Sequence, residues 1–155
     1  MKAILFFCLL ICSLSLFASP GIITAPEINP PVIDGIVHTA EWETASRDTH
    51  FVQIQPRKGA FISESTEVLV GMDQDHLYAA FKCFYSNPSI MTAGVVERDQ
   101  VSLNDDAVAI VIDTFFDKRS GYVFLINMLN TQTDIRVESN GSNEDRSWDT
   151  EWQSA

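Results

Sequence analysis

Cysteine is almost absent from this chain outside its first apolar stretch. Cys8 and Cys12 lie in that stretch and Cys83 stands alone beyond it. A single remaining thiol excludes an intramolecular disulfide and a cysteine-built zinc set, and His38, His50 and His76 are too scattered to replace one. Basic residues are few. Ten Lys and Arg face 21 Asp and Glu, a formal charge of -11. Nucleic acid is therefore a poor partner, because phosphate binding relies on clustered cations. No apolar run reaches the roughly 20 residues needed to span a bilayer. No segment keeps a 3.6-residue apolar period long enough to predict a helix.

What is present suits one globular domain. The chain has 155 residues, 46% of them hydrophobic, which allows a packed core and leaves no length for a second unit. Lys2, the apolar run Ala3 to Phe17 and the break Ala18-Ser19-Pro20-Gly21 read as a signal peptide over 1–19. A secreted, periplasmic or cell-surface destination follows, and the mature charge becomes -12 once Lys2 is removed. Pro20 to Pro31 carries four prolines and reads as an extended arm. The domain proper is expected over 32–155.

Within it, short strands are bounded by turn residues, predicting an all-β, antiparallel sandwich of jelly-roll or immunoglobulin-like type. Thr66 to Met72 and Leu77 to Tyr85 form one expected hairpin, joined by Asp73-Gln74-Asp75-His76. Leu77 to Tyr85 and Asp106 to Thr114 are apolar on both parities, so the first is expected in the middle of a sandwich or under a covering loop and the second in a central position, with Cys83 a buried thiol. Tyr122 to Asn127 and Thr133 to Glu138 form a second hairpin. In its later strand Ile135 and Val137 face inward, while Asp134, Arg136 and Glu138 make an outer charged stripe. Asn140-Gly141-Ser142 reads as a turn as readily as a glycosylation acceptor.

The order of Ile33-Asp34-Gly35, Glu41-Trp42, Thr66-Glu67-Val68, Asp73 through Tyr78 and Asp105-Asp106 resembles the carbohydrate-binding family 9-like modules, relatives of DOMON domains. The resemblance covers roughly Ile33 to Trp152. It is closer still to long secreted proteins in which such a module precedes a β-rich region. Their pattern is similar to Phe51 with Gln55-Pro56, Arg98-Asp99, Asp113-Thr114-Phe115-Phe116-Asp117, Gly121-Tyr122, Gln132 with Asp134, Trp148-Asp149 and Trp152. The resemblance implies a sugar-binding module, a structural Trp42, and further closing strands beyond Ala155, so that the sandwich here is expected to be incomplete at its C-terminus.

A sugar ring needs an aromatic platform for its C–H face and planar polar groups for its hydroxyls. Trp148 and Trp152 are the platform candidates; four apart, they would share a face on a strand. Arg98, Asn127 and Asp134 are the hydrogen-bonding candidates, although Arg98-Asp99 also reads as a structural ion pair. Calcium takes six to eight oxygen ligands. Asp105, Asp106, Asp113 and Asp117 are dense enough to contribute, and the resemblance makes a structural calcium reasonable without assigning its ligands. Polysaccharide or oligosaccharide, and downstream domains of the same chain, are the expected partners. Other readings stay open: a docking domain for a downstream β-rich or outer-membrane region, a glycosidase built on paired carboxylates, and haem binding through Met72 with His76 or His50.

Overall fold

The structure, a computed structural model, describes residues 23–94, 97–101 and 104–155. The expected signal peptide over 1–19 lies outside the described residues. The described chain is all-β, as its patterning predicts: seven strands and two single-turn 3₁₀ segments. Strands β1 (Ser46–Asp48), β2 (Thr66–Met72) and β3 (Leu77–Cys83) form one antiparallel sheet in that order. Strands β4 (Ala107–Ile112), β5 (Gly121–Asn127), β6 (Gln132–Glu138) and β7 (Asn143–Asp145) form a second, also in sequence order.

Local chemistry sets the two hairpins. Between β2 and β3, the Asp73 carboxylate accepts the N–H groups of Asp75 (2.8 Å) and His76 (2.7 Å), while its second oxygen accepts the Tyr78 hydroxyl at 2.6 Å. The turn is thus stapled to the first residues of β3. The Tyr78 hydroxyl and then the Asp75 N–H hold the Asp73 carboxyl at about 2, and the same contact pushes the Tyr78 phenol up to about 12. Between β5 and β6, the Asn127 side chain caps the loop by accepting the N–H groups of Leu129 and Thr131, both at 3.0 Å. The expected turn at Asn140 is present, with Asn140 at φ 60.

The core sits against the first sheet. Ile28, Trp42 and Leu69 are buried together, with Val37, Ala45, Tyr78 and Ala80 packed on them. Trp42 is a core residue, as its motif implies. Ile28 corrects the sequence reading, which put it in an arm outside the domain. Its N–H donates to the Met72 carbonyl at 2.8 Å, and Met72 N–H donates to Pro26 carbonyl at 2.9 Å. From residue 23 onward the proline-rich segment is extended, as expected, but docked. Its isoleucine fills the space above Gly71, where an added Cβ would stand 2.5 Å from the Ile28 side chain.

The sheets do not close on one another. Between them lies an open cleft of about 1530 Å³, lined by β3, β4, Phe124 and Ile126 of β5, and the segment ending at Ala155. Both strands expected to be central are edge strands: β3 ends one sheet and β4 ends the other. The pattern reports that both faces of a strand meet apolar surroundings, and says nothing of how many neighbours its backbone has. Cys83, expected to be buried, lies exposed at the end of β3. Its thiol is nonetheless pushed up by burial among apolar neighbours, reinforced by the charge of Asp106.

Candidate functional site

One network organises the second sheet. Arg98, in the short 97–101 segment, donates to Gln132 Oε1 and Asp134 Oδ1 (both 2.7 Å), Asp149 Oδ1 (2.9 Å) and the Thr150 carbonyl (3.0 Å). Asp99, in the left-handed region at φ 66, pairs with the start of β6 that β7 does not reach: its N–H bonds to the Gln132 carbonyl and its carboxylate accepts the Asp134 N–H. The expected Arg98–Asp99 ion pair is present at 3.8 Å. Burial pulls the Arg98 guanidinium down, but Asp134, Asp149 and Asp99 together leave it raised and firmly charged.

Asp134 is the pivot, and its place corrects the sequence reading. It was expected on the outer stripe with Arg136 and Glu138, which are exposed; its side chain is instead 0% exposed. The reason is the segment after β7. Thr150 N–H donates to Asp134 Oδ2 at 2.8 Å, the Trp152 indole N–H approaches Oδ1 at 3.5 Å, and Arg98 covers the rest. Asn127 is likewise buried: its amide donates to Gly94 carbonyl (3.2 Å) and Asp105 (3.1 Å) while its oxygen caps the hairpin loop. Both residues are spent on the fold. Neither presents a free polar atom to a ligand in this arrangement.

The two tryptophans meet through β5. Tyr122 and Phe124 alternate on one face of that strand. Trp148 packs on Tyr122 at 4.6 Å between centroids with the rings tilted by 38°, and meets Phe124 edge-on at 6.2 Å; Trp152 meets Phe124 edge-on at 5.5 Å. Neither tryptophan is in a strand, so the shared face expected from their spacing arises instead from a common partner. Both indoles are half-buried, leaving part of each surface in solvent. Gln132 donates to the Trp152 carbonyl and Ser154 hydroxyl, and Asn130 donates to the Ser154 carbonyl, so the aromatic segment is tied down along its length. Arg98 and Trp152 face the cleft.

The four aspartates do not meet. Asp105 and Asp106 precede β4 and brace the 92–94 segment, accepting Gly94 N–H at 3.2 Å and Thr92 N–H at 2.6 Å. Asp113 and Asp117 follow β4, about 20 Å further along the strand. Their oxygens take N–H groups of their own loop, from Phe115, Asp117 and Lys118 onto Asp113 and from Arg119 and Ser120 onto Asp117. Those bonds hold the Asp117 carboxyl below its ordinary value. The donor set therefore does not fit one calcium cage. Among the described residues, no three His, Cys, Asp or Glu side chains converge as a metal site.

Sequence reasoning passed over Tyr122, Asn130 and Ser154 as site residues. Tyr122 shares parity with Phe124 in β5, and that was the available signal. Asn130 and Ser154 carried none, since their roles depend on how the last ten residues fold back. The same loop that holds Asp113 and Asp117 projects Phe115 and Phe116, which are 73% and 86% exposed. Comparisons with protein-family models, curated proteins and solved structures found no match.

Proposed function

We propose that this chain is a non-catalytic binding module of a secreted protein, taking a polysaccharide or oligosaccharide along the row Tyr122, Trp148, Phe124 and Trp152. The observation that carries this reading is the row itself: four rings joined in a chain of three contacts, the two indoles half-exposed, held by a tied-down segment. Pre-ordered aromatic surface suits the apolar face of a sugar, because little side-chain freedom is lost on binding. Asp149, which is exposed, and Arg98 lie beside Trp152 and supply an acceptor and a donor for hydroxyl groups. Asp134 serves as a positioning residue, setting Arg98 and Thr150 rather than touching sugar. Binding fits these side chains better than hydrolysis does. The nearest acids, Asp134 and Asp149, share one guanidinium, and one of them is closed to solvent.

Affinity electrophoresis tests this directly. Migration of the chain through gels containing soluble xylan or hydroxyethyl cellulose is expected to be retarded, and Trp148→Ala is expected to migrate as in an empty gel. Equal mobility of a folded protein in every gel overturns the reading. The experiment is run with and without calcium, and because the four aspartates do not converge on one cage the retardation is expected to be the same in both.

A second reading, a docking domain for another polypeptide region, is favoured by a separate observation: the open apolar cleft between two edge strands.

A further inference from the structure

Charge is spread unevenly along this acidic chain. Residues 49–63, between β1 and β2, hold Arg57 and Lys58 and no Asp or Glu, although the formal charge of the chain is -11. The other cations have carboxylates at hand. Arg47 and Lys82 pair with Glu67, Arg98 with Asp134, Arg136 with Asp145 and Arg146 with Glu144. Lys118 and Arg119 sit in the loop braced by Asp113 and Asp117, and the Arg119 charge helps to hold the Asp117 carboxyl down. Among the described residues, Arg57 and Lys58 alone have neither an ion pair nor an acid in their own loop. The acids that flank the stretch are held by other groups: Asp48 accepts the His50 N–H and meets its ring, and Glu64 accepts the Ser86 N–H and hydroxyl.

The same loop projects apolar side chains from a closed backbone. Gln53 ties its base: the N–H donates to the Ala60 carbonyl (2.9 Å), the carbonyl accepts Gly59 N–H (2.8 Å), and the side-chain amide donates to the Phe61 carbonyl (2.7 Å). Gly59, at φ 79, supplies the left-handed residue that this closure needs. Ile54 is nevertheless 79% exposed and Phe61 63%, with Arg57 and Lys58 exposed between them. None of these four side chains lines the open cleft or the pocket of about 420 Å³ beside it. Strands that close the sandwich across the cleft therefore take up none of them.

Apolar tips beside unpaired cations fit one kind of surface. At an anionic bilayer, Ile54 and Phe61 enter among the acyl chains while the long stems of Arg57 and Lys58 leave their charges at headgroup level. A soluble polyanion would use the cations and leave the apolar pair in water. An apolar pocket on another protein would strand two charges.

We propose that the 53–61 loop is a reversible docking prong for an anionic lipid surface. Its closed backbone presents the four side chains with little ordering left to do on contact. Each cation at the headgroups strengthens the association by about fivefold. Screening at about 0.15 M salt limits the reach of the chain's acids to roughly 8 Å, so the loop turned toward the surface sets the sign of the contact. The prong shares no residue with the aromatic row and does not rest on the saccharide reading.

The test is co-sedimentation with sucrose-loaded vesicles, using the chain freed of residues 1–19, which contains every described residue and lacks the apolar leader. Phosphatidylcholine vesicles that are about a third phosphatidylglycerol are compared with vesicles of phosphatidylcholine alone, at about 0.15 M salt. The chain is expected to sediment with the anionic vesicles and to stay in solution with the neutral ones. Arg57→Gln with Lys58→Gln is expected to weaken binding about fivefold for each charge removed, whereas Arg146→Gln, a cation on another surface, changes nothing. Ile54→Ser, at an exposed position that leaves the folded tryptophan emission unchanged, is also expected to weaken it. Ile54→Trp adds an indole whose emission is expected to be quenched by phospholipid brominated on its acyl chains.

Absence of sedimentation with anionic vesicles, equal sedimentation with neutral ones, or binding that survives loss of both cations overturns the proposal. An unquenched indole in Ile54→Trp does so too. Binding of dextran sulfate as tight as that of vesicles, and indifferent to Ile54→Ser, makes the occupant a soluble polyanion and overturns it as well. Retained glycan binding without vesicle binding removes this inference and leaves the saccharide reading intact; the converse removes only the latter.

Discussion

Replacing Arg98 by Ala is expected to unfasten the second sheet from the segment that carries both tryptophans. The substitution deletes four donated hydrogen bonds and leaves the Asp134 carboxylate, which reaches no solvent, without its cation. Breaking a buried ion pair from one side costs about 3–5 kcal/mol. Arg98 itself is 38% exposed, so solvent screens part of the attraction and can replace part of the lost contact. Thr150 N–H and the Trp152 indole still donate to Asp134. A loss of about 2–3 kcal/mol is the resulting expectation. Urea unfolding read by tryptophan fluorescence measures it, and the folded baseline is expected to shift to longer wavelength as Trp152 gains water. Asp134→Asn in the same background removes the stranded charge. The double variant is therefore expected to be more stable than the sum of the single losses predicts. Strict additivity, or a loss below about 0.5 kcal/mol for Arg98→Ala, refutes the claim that this pair is the pivot.

Three further perturbations probe other elements. Trp42→Ala empties the core cluster with Ile28 and Leu69 and is expected to cost about 3–5 kcal/mol in a denaturant titration. Gly71→Ala drives a methyl into Ile28 and is expected to cost about 1–3 kcal/mol, a loss that Ile28→Ala in the same chain partly reverses. At the β2–β3 turn, the Asp73 carboxyl is lowered from its ordinary 3.8 to about 2, so its contribution is complete above 3.8 and disappears as pH falls through about 2. The Tyr78 phenol is raised from 10.0 to about 12, so its contribution is complete below 10.0 and disappears as pH rises through about 12. Carboxyl NMR and phenolate absorbance follow the two titrations, and Tyr78→Phe is expected to return Asp73 toward 3.8.

The five longer strands were legible in the sequence because alternation and turn chemistry are local, whereas the three-residue strands Ser46–Asp48 and Asn143–Asp145 are too short and polar to show a period. Asp73 announces its turn by being an Asp beside Gln-Asp-His, and Ile135 and Val137 announce their face by parity. Position within a sheet was not legible. The apolar parities of Leu77–Cys83 and Ala107–Ile112 are the same whether a strand is paired on both sides or lines a cleft, because side chains report their surroundings and leave backbone pairing unstated. Asp134 was misplaced for a related reason. Parity assigned it correctly to the face shared with Arg136, but the cover over that face comes from residues 149–152 and from Arg98, 36 positions away. Trp148 and Trp152 were found by their polar surroundings, whereas Tyr122, the partner of Trp148, was hidden at the start of an apolar strand run.

The most direct test of the central claim is tryptophan fluorescence during titration with xylo- and cello-oligosaccharides, comparing the natural chain with Trp148→Ala and Trp152→Ala. A saturable change that either substitution weakens by about tenfold or more, while both variants keep their folded spectra, is the expected result. No change across the oligosaccharide series in a folded protein, or binding that survives the loss of both indoles, contradicts the assignment of the aromatic row as a sugar platform.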